Sequence, residues 1–184
     1  MAVTTTTNPI QRYDEIRATS DFIFVVFYRG HWCPFCQAYL KQLQSLTSRI
    51  SAAGGHVLTV TAESETELPK MRQATGYDGE TIVDVENLLV KELARRGIID
   101  VAISEKKGYP HGMAQPAVLI GTKQKVVYKW AIVPAVMNLG GAKDRPSLTE
   151  VWENAEAEMQ GKPAVHATIP LLSFLQGIKQ KIFG

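Results

Sequence analysis

The sequence predicts an α/β fold, a central mixed sheet with helices on both faces and a helical extension at the C-terminus. Three observations carry that prediction. Short runs of β-branched and aromatic residues alternate with segments whose apolar residues recur three or four apart. The run Phe22-Ile23-Phe24-Val25-Val26-Phe27-Tyr28 is apolar throughout, as in a strand covered on both faces. A chain of 184 residues, 45% of them hydrophobic, suffices for one domain with a sizeable core.

Residues 1–12 are polar and read as a flexible N-terminal arm. After the first strand, the apolar residues Cys36, Tyr39, Leu40, Leu43, Leu46 and Ile50 mark a helix that stops at Gly54-Gly55. His56–Thr61 is the second strand. Ser64 and Glu67 have capping-box spacing and open a short helix with Leu68 and Met71 inward. Thr81–Val85 is β-like. Glu86–Arg96 places Leu88, Leu89, Leu93 and Ala94 on one helical face and ends at Gly97. Ile98–Ser104 is again β-like. Ala117–Ile120 and Lys125–Trp130 are strands whose short Gly121–Gln124 connection suits an antiparallel hairpin. Residues 131–146 form a long loop. Ser147 and Glu150 then cap a helix carrying Leu148, Val151, Trp152, Ala155 and Met159 inward. Pro163 breaks the chain, and Ile169–Phe183 reads as a short amphipathic helix within an extension over 161–184. That helix is too short to stand alone and is expected to pack on protein, within the chain or across a homodimer.

The chemistry sits where the first strand ends. Arg29-Gly30-His31 stops the apolar run, and Trp32-Cys33-Pro34-Phe35-Cys36 follows at once. Cys33 falls at the helix N-terminus, where unpaired amides and the positive dipole end favour thiolate over thiol. Pro34, with its fixed φ and missing donor, suits the first turn. Cys36 lies one turn in, on the apolar face, where burial disfavours the thiolate. Two cysteines three apart in a cytosolic chain read as a redox pair rather than a disulfide framework. Zinc would need further ligands, and the four histidines show no ligand spacing. Arg29 and His31 can place positive charge near a thiol; Arg29 could equally pair with a carboxylate, and His31 could be an ordinary turn residue.

These residues resemble the thioredoxin superfamily, most closely the peroxiredoxin-like branch of the alkyl hydroperoxide reductase/thiol-specific antioxidant (AhpC/TSA) family. Trp32-Cys33-Pro34-Phe35-Cys36 is similar to the Trp-Cys-x-x-Cys of thioredoxins, and Cys-Pro-Phe-Cys to the glutaredoxin dithiol. The likeness continues through Gln115-Pro116-Ala117-Val118-Leu119-Ile120 and covers roughly residues 13–160. It implies a thioredoxin-like domain over that range and offers two frames. In the thioredoxin frame Cys33 attacks and Cys36 resolves, but the buried acid of that pattern is replaced by Phe27. In the peroxiredoxin frame Pro-x-x-x-Thr-x-x-Cys falls on Arg29, Cys33 and Cys36, so that Cys36 would cleave the peroxide. The family's later arginine then falls near Gln115. The resemblance also implies that Gln115–Pro116 is cis and turns its backbone towards the dithiol.

The expected function is a thiol-disulfide oxidoreductase or peroxiredoxin-like antioxidant using Cys33 and Cys36, with Arg29, His31, Trp32, Gln115 and Pro116 tuning the site or binding substrate. The alternatives are a thiol peroxidase acting on hydrogen peroxide or organic hydroperoxides, and a non-catalytic thioredoxin-like binding module. An external thiol reductant and a disulfide or peroxide substrate are the implied partners, with no metal or organic cofactor. The net charge of +2 is scattered, which argues against nucleic acid. No membrane span or secretory signal is visible, so a cytoplasmic location is expected. The hairpin geometry places loops 104–116 and 131–146 beside the dithiol, making Tyr109, His111, Met113, Trp130, Met137 and Asn138 candidate pocket residues.

Overall fold

A computed structural model describes residues 8–167 of the chain. The expectation for Ile169–Phe183 lies outside the described residues. Helix α1 (Pro9–Thr19) comes first, and it includes residues that the sequence reading assigns to a loose arm. Its cause is local. Asn8 caps the helix by accepting from the amides of Ile10 and Gln11, Pro9 fills the first turn, and Tyr13 and Ile16 are buried.

Then come β1 (Phe22–Phe27), α2 (Pro34–Ala52) and β2 (Gly55–Thr61). A 3-10 turn (Glu65–Glu67), α3 (Leu68–Thr75), β3 (Glu80–Val83) and α4 (Leu88–Arg95) follow. Next are β4 (Ile103–Ser104), β5 (Met113–Ala114), β6 (Ala117–Thr122) and β7 (Val126–Ala131). A second 3-10 turn (Val136–Asn138) and α5 (Leu148–Met159) complete the described elements. The five-stranded sheet has the order β3-β2-β1-β6-β7. β1, β2 and β3 are parallel, while β6 runs antiparallel to β1 and β7 antiparallel to β6.

Alternation along β1 divides the core in two. Phe22, Phe24 and Val26 face α2, α3 and α5, where Leu40, Leu43, Met71 and Trp152 are buried. Ile23, Val25 and Phe27 face α1 and α4, where Tyr13, Ile16, Leu89 and Leu93 are buried. The mixed sheet with helices on both faces is therefore as the sequence predicts. Among the described residues no helix is long and apolar enough to cross a membrane.

Several boundaries differ for identifiable reasons. Ser64 makes no side-chain cap; its hydroxyl meets Thr66 instead, and the chain passes through a 3-10 turn before α3. Helix α4 is capped by Asp84, whose carboxylate accepts from the amides of Leu88, Leu89 and Val90. That cap turns Val90 inward and leaves Leu88 exposed. Of the β-like stretch 98–104 only Ile103–Ser104 pairs, in a small ribbon with β5. Ile99 and Val101 instead bury their side chains against the α1–α4 side of the sheet.

Candidate active site

Because β1 ends at Phe27, the turn that follows emerges at the C-terminal end of the central strand and leads into α2. Cys33 is the N-cap of α2, in extended conformation, with Pro34 in the first turn. Cys36 is one turn in, and its amide donates to the Cys33 carbonyl at 3.0 Å. The two cysteines lie close together and both are free. Cys33 is 1% exposed and Cys36 is fully buried.

Their environments drive the two thiols apart. The Cys36 thiol donates to the Cys33 sulfur, and the Cys36 backbone N–H and the charges of Arg145 and Arg29 add to it. Together these outweigh burial and hold Cys33 well below the ordinary thiol range. Burial pushes Cys36 well above that range, and the negative charge favoured at Cys33 reinforces the shift.

Arg145 is the residue that sequence reasoning missed. Its Nη2 lies 3.5 Å from Cys36 Sγ and 3.9 Å from Cys33 Sγ, and Nη1 donates to the Phe35 carbonyl at 3.3 Å. The guanidinium also stacks over the Tyr39 ring, 5.3 Å from its centroid. Tyr39 donates its hydroxyl proton to the Pro146 carbonyl at 2.9 Å, and Gln42 Oε1 accepts from the Leu148 amide. Helix α2 thus grips the chain on the far side of Arg145. One signal was available: the hairpin places loop 131–146 at the dithiol, and Arg145 is one of its two cations.

The other sequence-predicted residues fall around this centre. Arg29 is 7% exposed; its Nε donates to Gln115 Oε1 at 3.1 Å and its Nη2 to the Gly140 carbonyl. His31 is held by two carboxylates. Its Nδ1 meets Glu63 Oε1 at 2.7 Å and Glu67 Oε2 at 3.3 Å, and its amide donates to Glu63 at 2.8 Å. Trp32 is partly exposed, donates to the Tyr109 hydroxyl at 2.9 Å and has Lys106 Nζ over its ring. Tyr109 in turn donates to the Arg29 carbonyl at 2.8 Å. A Cβ at Gly30 would run into the polar atoms of Tyr109, Glu63 and Trp32, so a larger residue here would have to displace this hydrogen-bonded group.

Of the remaining loop candidates, Tyr109 alone is hydrogen-bonded to the turn before the dithiol. Asn138 braces its own loop through Ala135 and Gly141, and the His111 carbonyl accepts from Asn87. Trp130 pairs across from Val118 and packs against the α2–α5 core. The donor atoms of His31, Glu63 and Glu67 lie within 4.8 Å of one another, a set capable of holding a cation. In the structure they satisfy each other, with Lys70 on Glu67.

The expected cis bond is corrected. Among the described residues no peptide bond is cis, so Gln115–Pro116 is trans. The Gln115 amide donates to the Ala102 carbonyl at 2.8 Å, and the Pro116 carbonyl accepts from Ile132 at 3.1 Å. Both bonds are made by a chain running extended from β5 into β6, and trans is already favoured by about 0.5–1 kcal/mol before proline.

Replacing Arg145 by Gln is expected to delay the pH-dependent rise in Cys33 reactivity. Only the thiolate reacts, so alkylation rate climbs through the Cys33 pKa and then levels. Removing the cation weakens the thiolate and moves the midpoint of that climb up by about one pH unit. Iodoacetamide kinetics across pH measure it, and an unmoved midpoint would show that the Arg145 charge does not act on Cys33. Easier access alone would raise the plateau without shifting the midpoint.

Sequence and structure comparisons agree with this fold. A profile of the AhpC/TSA family matches residues 4–129. The chain belongs to the AhpC/TSA family, a peroxiredoxin-like branch of the thioredoxin-fold oxidoreductases. Among solved structures, peroxiredoxin 6 of Arenicola marina superposes with TM-score 0.62 at 13% identity, covering 92% of this chain and 79% of that one. PrxQ of Xylella fastidiosa gives 0.59 at 15% identity, covering 80% and 82%. AhpC of Enterococcus faecalis gives 0.57 at 15%, covering 76% and 75%. Identities this low speak to the fold alone. No curated protein sequence matches the chain.

Proposed function

We propose that the protein is a thiol-dependent oxidoreductase in which Cys33 attacks and Cys36 resolves. One observation carries the reading: adjacent thiols whose surroundings stabilise a thiolate at Cys33 and a protonated thiol at Cys36, under one guanidinium that touches both sulfurs. With a disulfide RS–SR, the Cys33 thiolate forms a mixed disulfide and RS⁻ leaves. Cys36 then gives up its proton and attacks the Cys33 sulfur, releasing the second RS⁻ and closing the Cys33–Cys36 disulfide. With a peroxide ROOH, the thiolate takes the terminal OH and becomes a sulfenic acid while the O–O bond breaks, and the alkoxide leaves and takes a proton from water. Attack by Cys36 on that sulfur releases water. Either way the pair loses two electrons, and an external thiol reductant restores them.

Family membership supports a second reading, a peroxidase with Cys36 as the peroxide-cleaving thiol. Its raised pKa weighs against it, because the attacking group must be a thiolate. Stopped-flow mixing of the reduced protein with hydrogen peroxide and with a small disulfide, followed by peptide mapping, tests both. The expected product is an intramolecular Cys33–Cys36 disulfide. Full alkylation of both thiols after either oxidant would sink the redox reading and leave a binding module.

A further inference from the structure

Arg29 and Arg145 are two cations at the dithiol with no carboxylate to answer them. We propose that they form an anion-selecting site, so that the protein favours disulfides or peroxides carrying a carboxylate beside the reacting bond. The proposal rests on the thiol chemistry proposed above and names its substrate class.

The charge count is the first support. Among the described residues the arginines in ion pairs are Arg12, Arg49, Arg95 and Arg96. Arg17, Arg29, Arg72 and Arg145 are in none among the described residues, and of these four the charges of Arg29 and Arg145 act on Cys33. Residues 1–7 and 168–184 contain no Asp or Glu. Arg29 is nevertheless buried, and its donors go to two neutral oxygens, Gln115 Oε1 and the Gly140 carbonyl. A buried guanidinium without an anion is strongly disfavoured. The Cys33 thiolate supplies one negative charge, and Arg145 Nη2 is shared between it at 3.9 Å and Cys36 Sγ at 3.5 Å. One positive charge is left over.

The second support is a surplus of donors. Gln115 is 1% exposed and its Nε2 has no partner. Its orientation follows from chemistry, since only the oxygen can accept from Arg29 Nε. Arg145 Nε is likewise buried and unpartnered. These donors belong to the Arg145 guanidinium and to the amide bonded to Arg29. An oxyanion provides the lone pairs they lack, and a guanidinium binds a carboxylate with two parallel bonds.

Neighbouring charges do not cancel the surplus. Glu63 is engaged by the His31 ring and amide, and Glu67 by His31 and Lys70. Lys143 and Asp144, next to Arg145, are both exposed and offset each other.

Three small symmetrical disulfides that differ in charge test the proposal: cystamine, bis(2-hydroxyethyl) disulfide and 3,3′-dithiodipropionate. Each rate with the reduced protein is divided by the rate with free dithiothreitol, which removes intrinsic reactivity. At low salt the dianion is expected to exceed the neutral disulfide by about tenfold, with cystamine slowest and the advantage shrinking as salt rises. Arg29→Gln should bring the anion-to-neutral ratio close to one, and Arg29→Lys, which keeps the charge, should retain part of it. Equal normalised rates in the unmodified protein overturn the proposal, as does a ratio unchanged in a folded Arg29→Gln variant. If Arg29→Gln does not fold, the charge series in the unmodified protein decides. Failure to react with any of the three and with hydrogen peroxide removes the oxidoreductase reading and this proposal with it, an outcome distinct from reaction without charge preference. Reaction with peroxide alone overturns the proposal for disulfides and leaves the oxidoreductase reading standing.

Discussion

Cys33→Ser is expected to slow oxidation of the reduced protein by a disulfide or peroxide about a thousandfold or more, because it deletes the nucleophile itself. Serine keeps the shape of the side chain, but its hydroxyl stays protonated where the thiol ionises. Cys36→Ser should behave differently. Its hydroxyl can still donate the hydrogen bond that holds Cys33 low, so the first step is expected to stay within about tenfold of the unmodified rate. Resolution is then lost, and the reaction stops at a mixed disulfide or sulfenic acid on Cys33. Intact-mass spectrometry of each variant after one equivalent of oxidant gives a direct readout, with adduct on Cys36→Ser and none on Cys33→Ser. The opposite pattern would assign the attack to Cys36 and the mechanism to the peroxidase frame.

That asymmetry was legible in the sequence because it depends on local geometry. A cysteine before Pro34 at a strand–helix turn, and a second cysteine on the apolar face, place one residue at the helix N-cap and the other a turn inside the helix. Strands β1, β2, β6 and β7 were legible for a similar reason, since continuous apolar runs bounded by glycine or short turns leave few alternatives. Arg145 was not. It is more than a hundred residues from Cys33, and its position depends on Tyr39 and Gln42 holding the start of α5. Glu63 was hidden in the same way: it is 5% exposed, follows β2 in the chain and accepts from the His31 amide. The cis expectation at Pro116 came from family likeness, and backbone bonds to Ala102 and Ile132 decided it otherwise. The N-terminal helix was missed although Asn8-Pro9 followed by Tyr13 and Ile16 is a capping and spacing signal.

Trp152→Ala is expected to destabilise the fold by about 3–5 kcal/mol, the range for deleting a fully buried large aromatic. Trp152 is the largest fully buried side chain in the described chain. Its ring stacks on Phe22 at 5.6 Å and tilts against Phe24 at 6.4 Å, which ties α5 to β1. Its indole N–H has no partner, so the residue's contribution is packing rather than hydrogen bonding. Trp152→Phe therefore serves as the control: it keeps most of the apolar volume, removes the orphan donor and should cost under about 2 kcal/mol. Denaturant melts measure both, and for a chain of this size Trp152→Ala should lower Tm by roughly 10 °C. The effect should reach the dithiol, because α5 begins three residues after Arg145 and loosening it frees the guanidinium from the sulfurs. Under conditions where Trp152→Ala remains folded, its alkylation midpoint should move up in pH, as with Arg145→Gln. A loss below about 1 kcal/mol would show that α5 is not anchored through this ring. A full loss of stability with an unshifted midpoint would show instead that Arg145 is held by Tyr39 and Gln42 without help from the α5 core.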